Sequence, residues 1–139
     1  MSYDNPNRQT YWPCGVFDFG AGADENFSIK GPKGKSGYLY DYGVAGVTEV
    51  MNGASTTPKI AVGTTSDPDA YGDELDLNAV ADNEFSSVRS LYAETASGFT
   101  TQMVARHIPK DTEIYLTCTG AVGSPTGQAA PFVTIDWDL

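Results

Sequence analysis

The segment Asp111–Gly120, DTEIYLTCTG, alternates without a break. Thr112, Ile114, Leu116 and Cys118 share one side, and Glu113, Tyr115, Thr117 and Thr119 share the other. A period of two sets one side against a core and the other toward solvent, which is the pattern of a half-buried strand. A lone strand exposes a row of unpaired backbone groups, so the chain must supply partners. Short runs of the same kind recur along it: GVFDFG (15–20), ENFSIKG (25–31), SGYLYDYGV (36–44), GVTEVMNG (46–53), PKIAVGT (58–64), DELDL (73–77) and PFVTIDWDL (131–139). Gly, Pro, Asn and Asp punctuate them, and these are the residues that turns require.

Eight or nine short strands separated by turns predict an all-β fold, an antiparallel β-sandwich or jelly roll. The 139 residues suit one ordinary domain, and 15 Gly with 8 Pro favour turns over long helices. Two regions depart from the pattern. NAVADNEFSSVRSLYAETASGF (78–99) reads as irregular with at most a short helix, and TTQMVARHI (100–108) reads as a strand or a helical end stopped by Pro109. AVGSPTGQAA (121–130) reads as a loop. The first fifteen residues, MSYDNPNRQTYWPCG, are polar with scattered aromatics and two prolines. They predict an extended N-terminal arm (1–15) leaving a sandwich domain (16–139). Tyr11 and Trp12 then anchor either on the domain itself or on a neighbour. Deletion of residues 1–14 is expected to leave the domain folded.

Gly34-Lys35-Ser36 matches the end of a P-loop, but the first glycine of that motif would fall at Ile29. The aromatic, glycine-broken run that follows predicts a strand, not the helix N-terminus that grips phosphate. The expected structure is therefore a lysine-bearing turn, and no nucleotide cofactor is expected. The formal net charge of -10 argues against a nucleic-acid partner and against an anionic membrane surface. It favours solubility and attraction to basic surfaces. Cys14 and Cys118 lie too far apart in sequence for a metal motif and are too few for a disulfide framework, so free, largely buried thiols are expected. The opening MSYDNPNRQT lacks the apolar core of a signal peptide, and no run is apolar enough to span a membrane.

Acids cluster in SDPDAYGDELD (66–76). Asp67 and Asp69 open like a calcium loop, but Asn78 stands where the closing acid belongs. Asx-type turn caps explain the same residues without a metal. His107 is the single histidine, and no nucleophile motif surrounds either cysteine. No catalytic residue and no metal ligand are expected, and the chain does not read as an enzyme. Tyr38, Tyr40 and Tyr42 recur with period two. On one strand face they form either a sugar-stacking or protein-binding platform, or a sheet face packed under a loop.

The segment 28–77 resembles the small decoration, or cement, proteins that coat the heads of tailed bacteriophages. The likeness rests on the turn and strand of Gly31, Pro32, Gly34, Lys35, Gly37 and Leu39, then on GV..VTE, then on I.VGT..DPDAYG.EL. IPKDTEIYLTCTGAVGSPTGQAAPFVTIDW is similar to the closing hairpin of the same family. These motifs are structural turns and carry no catalytic signature. The resemblance implies a jelly-roll-like fold, self-association as a homodimer or homotrimer, and binding to the major capsid protein on the exterior of a virion assembled in a host cytoplasm. Tyr11, Trp12, Lys33 and Lys35 are the expected partner-binding residues. A carbohydrate-binding β-sandwich, calcium-assisted through 67–76, is the alternative.

Overall fold

The computed structural model describes residues 7–81, 84–89 and 107–138. Ten strands and one short 3-10 turn follow in the order β1 (Arg8–Tyr11), β2 (Phe17–Asp18), η1 (Phe19–Ala21), β3 (Glu25–Ile29), β4 (Gly37–Asn52), β5 (Lys59–Gly63), β6 (Gly72–Asp76), β7 (Ser86–Ser87), β8 (His107–Ile108), β9 (Ile114–Thr119) and β10 (Thr126–Trp137). One sheet runs β1-β10-β4-β7, with β2 on β10 and β8 on β4, and the other runs β3-β9-β5-β6. Every pairing is antiparallel. The chain passes repeatedly from one sheet to the other, with its first and last strands adjacent, which is jelly-roll connectivity.

The inner faces make one core. Leu39, Tyr42, Val44, Met51, Val133 and Ile135 of the first sheet meet Ile60, Val62, Leu75, Ile114, Leu116 and Cys118 of the second, all 0–1% exposed. At about 1.5–3 kcal/mol for each large apolar side chain, this layer is the main stabilising term. The alternation of Ile114, Leu116 and Cys118 points inward as the sequence required. Leu75 and Leu77 also point inward.

Four findings revise the expected layout. The first concerns residues 1–15. Residues 8–11 are extended, but they do not leave the body: Arg8 pairs with Asp136 and Tyr11 with Val133, so they form a strand of the first sheet. Deletion of residues 1–14 therefore strips a strand from β10 and is not a neutral truncation. The second is that segments 36–44 and 46–53 form the single strand β4, which continues through Gly46 at φ +60°. The third is that the expected loop 121–130 already belongs to β10 from Thr126 onward. The fourth is a bulge in β4. Thr134 faces Asp41 and Ile135 faces Leu39, so Tyr40 is an extra residue with no partner. One extra residue reverses the side on which every later residue points. Tyr38 and Tyr40 stay on the outer face, while Tyr42 turns into the core at 0% exposure and donates its hydroxyl to the Asp73 carbonyl. The three-tyrosine ladder does not form. Most of 78–108 lies outside the described residues; within that span Ser86–Ser87 and His107–Ile108 form edge strands on β4.

Candidate binding surfaces

The outward face of the first sheet carries rings and guanidinium groups. At one end, Phe132 projects from β10 and is covered from two sides. The Trp12 ring lies 5.1 Å from it and the Phe85 ring is stacked on it at 5.6 Å. Phe132 is only 5% exposed, whereas Trp12 and Phe85 are 50% and 55% exposed. Bulky rings half open to water on one sheet face mark an interaction surface more often than a packing accident. Beside them the Thr10 and Thr134 hydroxyls share a hydrogen bond of 2.9 Å across β1 and β10.

In the middle of the face, the bulged Tyr40 lies between two cations. The Arg8 guanidinium sits 3.5 Å from its centroid and the Arg89 guanidinium 3.6 Å. Arg8 also donates two hydrogen bonds to Asp136, at 2.7 and 3.1 Å. Arg89 donates its Nε–H to the Tyr40 carbonyl at 2.6 Å. Asp41 is 8% exposed and receives backbone N–H bonds from Tyr42 and Arg89. Burial pushes its carboxyl up from the usual range; the Arg89 N–H, the Ser87 hydroxyl, the Tyr42 N–H and the Arg89 charge pull the other way. Asp41 thus pins β7 to β4. At the far end Tyr38, 45% exposed, meets His107 edge-on at 5.2 Å.

The four residues expected to bind a partner fall in two places. Tyr11 is half-buried, and its hydroxyl accepts from Trp137 Nε1 at 2.8 Å, so it anchors β1 to its own domain. Trp12 belongs to the ring cluster. Lys33 and Lys35 lie in the turn between β3 and β4, beyond the Trp137 end of β10, whereas Phe132 sits at mid-strand. That turn has no helix behind it. Lys35 N–H closes it onto the Pro32 carbonyl at 3.2 Å, Gly34 adopts φ +73°, and Gly34 N–H donates to Asp111 Oδ1 at 2.8 Å. The GKS triplet lies in a turn that leads into β4.

Phe85, Phe132, Arg8 and Arg89 were not singled out in the sequence, and Tyr40 was singled out only as a rung of the tyrosine ladder. No spacing connects them, because cross-strand pairing brings them together from distant segments. The single cue was Phe132, an aromatic on the outward alternation of β10.

Much of the acidic segment is held by its own backbone and by two of its carboxylates. The Asp67 carbonyl accepts from Thr64 and Ala70, and Asp73 and Asp76 carboxylates cap the Glu74 and Asn78 amides. Among the described residues no three His, Cys, Asp or Glu side chains converge on a metal position. His107 lies on the outer face, while Cys118 is in the core between the sheets. Burial raises both thiols above their ordinary values, with Glu25 adding to the effect, and this suppresses the reactive thiolate. Cys14 and Cys118 are both free.

Fold and surface together define an antiparallel jelly-roll sandwich with an aromatic and arginine-rich sheet face. No family model, curated protein or solved structure matches the chain.

Proposed function

We propose that this chain is a decoration protein of a tailed-phage head, binding the outer surface of the shell and bridging neighbouring major capsid protein subunits. The observation that carries the reading is the Trp12–Phe132–Phe85 cluster: two half-exposed rings braced on a buried third, on the outer face of the first sheet. Rings held in this way lose little freedom on binding and are favoured at the centres of protein interfaces. The resemblance of 28–77 to cement proteins supports the same role. Contacts repeated around a shell by a homodimer or homotrimer add by multivalency, so a modest footprint resists separation of capsomers.

The test is co-sedimentation of the purified protein with DNA-free heads of the phage that carries its gene. The wild type pellets with heads, and the Trp12→Ala, Phe85→Ala double variant stays in the supernatant while keeping its β-sheet circular dichroism. A wild type that never pellets refutes the function, and a double variant that decorates normally refutes the assigned face. The same half-exposed rings favour a second reading, a carbohydrate-binding sandwich, because flat aromatic faces stack on sugars. Binding on a glycan array by the wild type, lost in the double variant, would support it.

A further inference from the structure

The lysine-bearing turn is part of a larger feature. Four of the five lysines in the chain, Lys30, Lys33, Lys35 and Lys110, sit on two loops, β3–β4 and β8–β9. The Gly34–Asp111 hydrogen bond of 2.8 Å joins these loops. A groove of about 400 Å³ runs along the seam, lined by Ile29, Lys30, Gly31, Asp111, Thr112 and Glu113.

None of these four ammonium groups has an ion-pair partner among the described residues. The other cations among the described residues differ: Lys59 pairs with Glu74, Arg8 pairs with Asp136, and Arg89 lies on Tyr40. The neighbouring carboxylates bond only to neutral donors and keep their charge, so four ammonium groups stand against three acids. Asp111 accepts from Gly34 N–H, Glu113 from the Ser28 hydroxyl at 3.2 Å, and Asp138 from the Ser36 hydroxyl at 3.0 Å. A chain of formal net charge -10 therefore gathers four of its five lysines at one end, in slight excess over the described acids beside them. The platform beneath is stiff. Gly31 lies against the Trp137 ring so closely that a Cβ there would fall 2.2 Å from two ring atoms, and Trp137 is held by Tyr11.

We propose that this end of the sandwich docks on an acidic protein surface. Unpaired lysines on a fixed turn contribute steering and register more than affinity. A nucleic acid fits poorly, because a long polyanion would run from the two loops onto the acidic remainder of the chain, whereas a local carboxylate patch on a folded protein need not. Resting on the proposed function, the acidic surface belongs to the head shell.

Two experiments test this. In the first, poly-L-glutamate is titrated at low salt into the isotopically labelled protein and followed by amide NMR. The inference expects shifts confined to residues 30–36 and 110–113, abolished by Lys30→Gln, Lys33→Gln, Lys35→Gln and Lys110→Gln together and retained by the matching Lys→Arg set. No shifts, or shifts centred elsewhere, overturn it. An oligo-dT strand that shifts the same amides at lower concentration overturns the choice of a protein partner. In the second, association with heads is timed. The Gln set should slow it roughly tenfold or more, and raised salt should slow the wild type in the same way. An unchanged rate overturns the inference. If the wild type fails to bind heads at all, the proposed function falls and the glutamate titration alone decides the lysine surface.

Discussion

Gly31→Ala is a sharp test of how the turn is held. The added methyl carbon would lie 2.2 Å from two carbons of the Trp137 ring and 2.9 Å from a third. Carbon atoms settle at about 3.5–4.0 Å, so the ring must move by more than about 1 Å. It has little room, since a Cβ at Gly37 would already lie 2.7 Å from its other edge, and its Nε1–H is bonded to Tyr11 at 2.8 Å. Overpacking of this kind costs about 1–3 kcal/mol, and losing the Trp137–Tyr11 hydrogen bond adds about 1 kcal/mol. We predict a loss near 3 kcal/mol, a fall in Tm of roughly 10 °C for a domain of this size. Thermal unfolding followed by circular dichroism gives the total. Trp137 fluorescence in a Trp12→Phe background reports whether the ring moves. Trp137→Phe should partly rescue Gly31→Ala, with a coupling of about 1 kcal/mol or more in the double-mutant cycle. A Gly31→Ala protein melting within about 2 °C of the wild type, or strictly additive single variants, refutes the reasoning.

Three further outcomes follow from the first sheet. Asp41 has a folded-state pKa above its unfolded one, so its contribution is complete below about pH 3.9 and is lost as pH rises through the folded value. Asp41→Asn keeps the acceptor without the charge, so in urea unfolding it should gain on the wild type between about pH 3 and about pH 7. An unchanged difference across that range refutes the assignment. Asp41→Ala strands the Tyr42 and Arg89 amides and should cost about 1–3 kcal/mol at either pH. Arg8→Ala removes a rim ion pair and one face of the Tyr40 sandwich. Its cost should stay near 1 kcal/mol and shrink in concentrated salt; a loss above about 2 kcal/mol that is insensitive to salt would show that Arg8 does more than this.

The fold was legible wherever side chains alternate without interruption. Ile114, Leu116 and Cys118, or Val133, Ile135 and Trp137, bury one side of a strand, and burial alone fixes their direction. It was not legible where the backbone changes register. Nothing in GYLYDYGV says that Tyr40 is unpaired, because the bulge arises from how β10 meets β4. Thr126–Ala130 read as loop because Gly127, Ala129 and Ala130 are of types depleted in strands; pairing with β4 and β2, and the Glu49 carboxylate on the Gly127 amide, make it a strand. The N-terminal segment read as a free arm because its outward side is polar, and one polar side is what an edge strand also requires. Of the binding surfaces, the lysine turn was visible as a local run. The ring cluster was not, since the contact of Trp12 with Phe132 depends on the pairing of β1 with β10.

The placing of β10 sets a timetable for synthesis. Its neighbours β1, β2 and β4 leave the ribosome long before it does, and Arg8 waits for an Asp136 made 128 residues later. Until Trp137 clears the exit tunnel, the nascent chain carries three strands with open edges and a core lacking one wall. Closure of the first sheet therefore waits for β10 to emerge, and a chain stopped within Thr126–Trp137 leaves those edges unpaired.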